Sequence, residues 1–185
     1  MPIIRLIPAA AAAIIGVVDC VFRRINSRQY GIGLLRNGAR DIGGDVAVRL
    51  APGDARVPHD LVHFVVEEQS GLTLGIFGQA AAGGDVGGFF RAVAGKRGRA
   101  QQAKRSQRLG SAGRAQVGRS EQLAGLAYHG RIPSGADPLV VTPDLRMSIN
   151  RRLDEVLRRW EDVAVGEDLV MAWPQRLTVR YGRIP

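Results

Sequence analysis

Between Pro58 and Gly71 the chain is punctuated at both ends in the way a helix requires. Pro58 has no N–H to lose in a first turn, and its ring already fixes a helical φ. Gly71, directly after Ser70, suits the left-handed residue on which many helices close. The spacing predicts a helix over 59–69, with Leu61, Val62, Phe64 and Val65 turned to a core and Leu72 a further contact beyond its end. A helix with one apolar side must bury it against other elements, and the flanking sequence supplies candidates of both kinds.

Upstream, Tyr30–Leu35 and Asp45–Leu50 read as two short strands, the second alternating polar and apolar residues as a half-buried strand does. Asn37-Gly38 and Gly43-Gly44 compete as the turn centre of this N-terminal β-hairpin. Downstream, the glycine-rich stretch from Leu72 to Val93 suggests short helices around Ile76–Ala82 and Phe89–Ala94. Its Gly83–Gly88 run lacks the Gly-Lys-Ser/Thr ending of a phosphate-binding loop. Helical character returns at Glu121–His129. Three prolines make Ile132–Pro143 a loop, with Leu139–Val141 as a short extended piece. Asp144 then caps a helix to about Val163, with Leu145, Ile149, Leu153, Val156, Leu157 and Trp160 on one stripe. A C-terminal β-hairpin is expected from Asp168–Trp173 and Arg176–Tyr181 around Pro174-Gln175. The expected fold is a single α+β domain over residues 1–185, with about four helices between the two hairpins.

The 185 residues suffice for one core, burying roughly two-thirds of the unfolded surface. With aromatics at 5%, that core must be mostly Val, Leu, Ile and Ala. Cys20 is the lone cysteine, which excludes an internal disulfide and a thiolate zinc ribbon and suits a reducing cytoplasm. Within residues 1–25, Leu6–Val18 is an apolar run of thirteen residues. That falls short of the roughly 20 a membrane-spanning helix needs, so no stable transmembrane span is expected. The run has the length of either a buried segment or the core of a secretion signal, and Val17-Val18-Asp19-Cys20 only loosely resembles a lipoprotein cleavage box because of Asp19.

The net charge of +9 has a single source. Arg91 to Arg119 holds nine basic residues and no acid, and the rest of the chain balances 17 against 17. Residues 96–119 read as either a solvated helix or a disordered insertion. Arg97, Arg99, Lys104, Arg105 and Arg108 are its candidates for contacts to nucleic acid or another anionic partner. No aromatic residue lies between Ala92 and Ala127, so base stacking is not expected there.

On the 59–69 helix, His59, His63 and Glu67 recur every four residues and share one face. Two neutral imidazoles and a carboxylate at that spacing can converge on one cation, as the histidines of an HExxH helix do on zinc. The expectation is a divalent metal, zinc first, with His59, His63 and Glu67 as ligands and His129 as a further candidate. Asp60, about 100° round the helix from the stripe, would orient a ligand or act as base in a metal-dependent hydrolase. A histidine pair one turn apart equally serves a hydrogen-bonded helix face without metal.

Pro58-His59-Asp60-Leu61-Val62-His63-Phe64-Val65-Val66-Glu67, with Gly71-Leu72 and Gly75-Ile76-Phe77-Gly78, resembles a family of small bacterial proteins. That family shares a PHDLxHxxVE helix followed by a GL…GF/IxG segment. The resemblance covers about residues 56–84 and implies a shared fold, with no activity to transfer. His59, Asp60 and His63 are also similar to the HDxxH-x11-E zinc motif of a ubiquinone-biosynthesis family. That motif's Glu falls here on Gly75, so Glu67 or Glu68 would have to supply the ligand. Against the zincin proteases, Asp60 stands where the catalytic Glu is expected, and no downstream signature follows.

Overall fold

The structure, a computed structural model, describes residues 18–36, 44–88, 90 and 96–179. Four strands form one antiparallel sheet in the order β3-β2-β1-β4: β1 Val18–Arg24, β2 Tyr30–Arg36, β3 Val46–Leu50 and β4 Asp168–Ala172. Four α-helices accompany it: α1 His59–Ser70, α2 Ile76–Ala81, α3 Lys96–Leu126 and α4 Pro143–Glu161. The expected α+β architecture is therefore the observed one.

Strand periodicity places Cys20 and Phe22 of β1, Tyr30, Ile32 and Leu34 of β2, and Leu169 and Met171 of β4 in one core with the helices. Phe64 of α1 reaches the sheet edge-on at Phe22, with ring centroids 6.3 Å apart, and packs on Phe77 at 5.3 Å and Trp173 at 5.4 Å. These few aromatics sit together at the centre, so their scarcity does not leave the core without large anchors. Cys20 is among the core residues, and burial pushes its thiol pKa well up.

Helix α1 begins after Pro58, whose carbonyl accepts from Leu61 and Val62 N–H. It ends at Gly71, whose φ of 68° is left-handed. Its buried side includes Leu61, Val62, Phe64 and Val65. Helix α4 carries the expected stripe, with Ile149, Leu153, Val156 and Trp160 buried. Its cap, though, is Thr142, whose Oγ1 accepts from Leu145 N–H, while Asp144 lies in the first turn. The Trp160 indole N–H donates to Ala55 O at 2.6 Å, fixing α4 to the segment that leads into α1.

The C-terminal hairpin is not what forms. Asp168–Ala172 pairs with β1, while Gln175–Leu177 is a turn of 3-10 helix. Position decides it: Leu169 and Met171 face the core beside Phe22 and Cys20. The Arg23 guanidinium also grips Asp168 through both carboxylate oxygens, at 2.7 and 2.8 Å. Leu139–Val141 is likewise turned rather than extended, with Val140 and Val141 N–H both donating to Asp137 O. The Asn37-Gly38 turn, residues 6–17 of the apolar run and the Phe89–Ala94 helix fall wholly or largely outside the described residues.

The basic segment is helical. In α3, Gln102, Leu109, Gly113, Ser120 and Ala124 are buried, at steps of seven and four residues that keep one face inward. Small and polar residues make up most of that face. A Cβ at Gly113 would lie 2.6 Å from the Gln79 amide nitrogen, so the glycine permits α3 to lie against α2.

Helix α2 has only six residues, too few to hold itself, and charges fix both its ends. The buried Glu67 carboxylate accepts from Ile76 N–H at 2.7 Å and Phe77 N–H at 2.9 Å. At the other end Arg36 donates to the carbonyls of Ala80 and Ala81. Both charges have the sign the helix dipole favours. Gly75 is required by this arrangement, since a Cβ there would lie 2.6 Å from each Glu67 oxygen. Gly75→Ala should destabilise the protein by about 1–3 kcal/mol. Gly118→Ala, an open position on α3, should instead stabilise it by roughly 0.5–1 kcal/mol. Denaturant unfolding midpoints check both, and an unshifted Gly75→Ala would mean that Glu67 is not held against α2.

Candidate metal centre

His63 lies in the middle of α1 and is 1% exposed. Its Nδ1 is 2.8 Å from Ser120 Oγ on α3. Ser120, itself fully buried, donates its hydroxyl proton to Glu67 Oε1 at 2.7 Å. A hydroxyl has one proton, so towards His63 Ser120 must accept, and Nδ1 is the protonated nitrogen. Nε2 then presents a lone pair. Burial first, and the neighbouring His59 second, push the His63 pKa down to about 3, so the ring is neutral across the ordinary pH range.

That lone pair faces two further donor atoms. His59 Nε2, one helical turn earlier, lies 2.9 Å from His63 Nε2, and the rings meet edge-to-face. Glu121 Oε2, next to Ser120 on α3, lies 3.6 Å away on a side chain that is 57% exposed. One ligand atom from each of His59, His63 and Glu121 lies within 4.8 Å of the others. Separations of 2.9 and 3.6 Å are short enough for His59, His63 and Glu121 to hold one divalent ion through bonds of about 2.0–2.2 Å to nitrogen and oxygen. The exposure of Glu121 puts one side of the cluster at the surface.

The structure brings together only part of the expected set. Glu67 is fully buried behind His63, with both oxygens engaged by α2 and Ser120. It thus touches the centre through Ser120 and stands outside the three-residue cluster. Glu68 is taken by Arg152 of α4 at 2.8 Å. Asp60 accepts the Tyr30 hydroxyl proton at 2.6 Å and returns its own N–H to the same oxygen at 3.2 Å. Burial raises the Asp60 pKa, the Tyr30 bond lowers it, and the charges of His59 and Glu121 act on it in opposite directions. His129 lies past the end of α3, exposed and edge-on to Tyr128, outside the cluster.

Two residues of the site escaped the sequence reading, Ser120 and Glu121. One signal pointed at the second: Glu121 is the first acid after a stretch from Val86 to Ser120 that has none.

Of the basic candidates, Arg97, Arg99, Lys104 and Arg108 are exposed on α3. Arg105 instead turns partly inward and donates to Gly83 O. Arg97, Lys104 and Arg108 follow one another at seven and four residues and share an outer face. No helix is long and apolar enough to cross a membrane among the described residues.

No protein-family model matches the chain, and no match to it exists among the curated proteins or the solved structures compared.

Burial pushes the Glu67 pKa up to about 7, against the hydrogen bonds from Ser120, Ile76, Phe77 and Gly78 that favour the anion. A carboxyl raised in this way binds its proton more tightly in the folded state. Its stabilising contribution is therefore complete below about pH 4.5, its ordinary value, and is lost as pH rises through about 7. The stability of the metal-free protein relative to Glu67→Gln should accordingly fall between those pH values. A relative stability that rises with pH in urea titrations would mean the donors outweigh burial.

Proposed function

We propose that the protein binds a divalent cation through His59, His63 and Glu121, with zinc favoured by the donor set. The observation that carries this is the approach of three ligand atoms to within 4.8 Å of one another, one of them the lone-pair nitrogen of a buried neutral imidazole. Glu67 and Ser120 support the reading, because metal-bound histidines commonly donate their other N–H to a hydrogen-bonded partner that fixes ring and tautomer. With an open position at the surface, a bound zinc would lower the pKa of its water and supply a nucleophile for hydrolysis. Asp60, tied to Tyr30, is the nearby carboxylate left to orient the centre or take a proton.

Protein purified without chelators should carry about one equivalent of metal, lost in His63→Ala and in Glu121→Gln. Ser120→Ala touches no ion and should cost roughly 10- to 100-fold in affinity. Metal analysis and zinc titration read all three. Wild-type protein that stays metal-free and takes up no added zinc would end this reading.

A second, non-enzymatic reading rests on the outer face of α3. Arg97, Lys104 and Arg108 would contact phosphates of nucleic acid without reading sequence. Replacing all three by Gln should weaken binding to random duplex DNA and reduce the salt slope by about three. Unchanged binding would exclude this face.

A further inference from the structure

A groove of about 410 Å³ opens between α4 and the chain at residue 131. None of its lining residues belongs to the metal centre. Its lining carries Arg131, Arg146, Arg151 and Arg158 with Asp154 as the one carboxylate, and Asn150 and Met147 complete it. The groove is built rather than incidental. The Asn150 side chain clamps the Ile132 backbone, accepting from its N–H at 2.8 Å and donating to its carbonyl at 2.9 Å. That clamp holds the neighbouring Arg131 across α4, where it meets Asp154 at 2.6 Å. Met147, Arg151, Asp154 and Arg158 recur at four, three and four residues, so they line a single face of the helix.

Four guanidinium groups against one carboxylate leave three positive charges in excess within the lining. The side chains of Arg146, Arg151 and Arg158 make no hydrogen bond or salt bridge with the described residues, although Arg158 is near enough to Glu155 to help Arg152 lower that carboxyl's pKa. Like charges gathered over a concave surface raise the local potential and concentrate anions there. The guanidinium fork matches phosphate oxygens in pairs, which an ammonium group does not. Arg151 and Arg158 stand about 10 Å apart along the helix axis and Arg146 and Arg151 about 7 Å. Those spans exceed the width of one phosphate, so a chain of two or three can engage more of the guanidinium groups at once than a single phosphate can. The volume also falls within the usual range for small-molecule sites, about 300–1,000 Å³.

We propose that this groove binds a small molecule bearing two or more linked phosphates. Arg151 and Arg158 would hold the ends of the chain, and Arg131 would be shared between the ligand and Asp154. The shared chemistry is the linked phosphates themselves, whatever group they carry.

Calorimetric titration of the full-length protein with inorganic triphosphate tests it, with inorganic monophosphate as comparator. Triphosphate should bind at least tenfold more tightly than monophosphate. The double variant R151A/R158A, altered only at exposed positions, should lose at least tenfold in affinity. Asp154→Asn should bind more tightly than wild type, because it removes the competing carboxylate, a gain that a purely structural role for the ion pair would not produce. His63→Ala and the R97Q/K104Q/R108Q variant should bind as wild type does. Absent triphosphate binding, or binding unchanged in R151A/R158A, overturns the proposal. So does binding lost in His63→Ala, which would place the anion on the metal centre, or in the α3 variant, which would place it on that helix. The result stands apart from the metal reading, since zinc content can fail while triphosphate binding holds.

Discussion

A single buried carboxylate ties three helices together. Glu67 belongs to α1, caps the first turn of α2 through two backbone N–H groups, and receives the hydroxyl of Ser120 from α3. Each of these partners depends on the others. Without the carboxylate, α2 would have an uncapped N-terminus and too few residues to stand alone. Ser120 would lose the acceptor that sets its direction, and His63 would lose the reason for its tautomer. Burying a carboxylate is costly unless donors surround it, and here the backbone supplies them. Gly75 makes room by having no side chain.

The His59–His63–Glu121 cluster is thus an extension of the packing between α1 and α3. The fully buried side of the seam, Glu67 and Ser120, sets geometry. The half-exposed side, His59 and Glu121, meets solvent. His63 spans the two, with one nitrogen committed to the interior and the other available. A gradient of this kind, from satisfied interior to open surface, holds the donor atoms of the cluster in place.

What could be read from the sequence follows how each element announces itself. Helix α1 was legible because Pro58 and Gly71 mark its ends with backbone chemistry, and α4 because its stripe is made of large apolar residues. Helix α3 gave no such pattern over most of its length: its inward positions include Gln102, Leu109, Gly113, Ser120, Leu123 and Ala124, and only Leu109 and Leu123 are large and apolar. Strand β1 starts at Val18, the last residue of the apolar run, and its charged Asp19, Arg23 and Arg24 gave no clean alternation to mark it. Arg176–Tyr181 alternates as a strand should, yet alternation does not choose a partner, and β1 offered Asp168 the Arg23 fork. The same limit applies at the site. Spacing alone placed Glu67 on the histidine face, which is where it lies. Only the fold shows that its oxygens point to α2, while the neighbouring helix brings Glu121 from 58 residues away in sequence.

The pairing of β1 with β4 also sets a timetable for the molecule. Arg23 and Asp168 are 145 residues apart, and a ribosome adding roughly 5–20 residues per second needs on the order of 10–30 s to produce the second after the first. Through that interval β1 has no partner for the edge that β4 takes in the finished sheet. The charged and polar side chains of Asp19, Arg23 and Arg24 along that edge would discourage it from pairing with other nascent chains. The sheet closes late in synthesis, and a chain that stalls before residue 168 keeps that edge exposed.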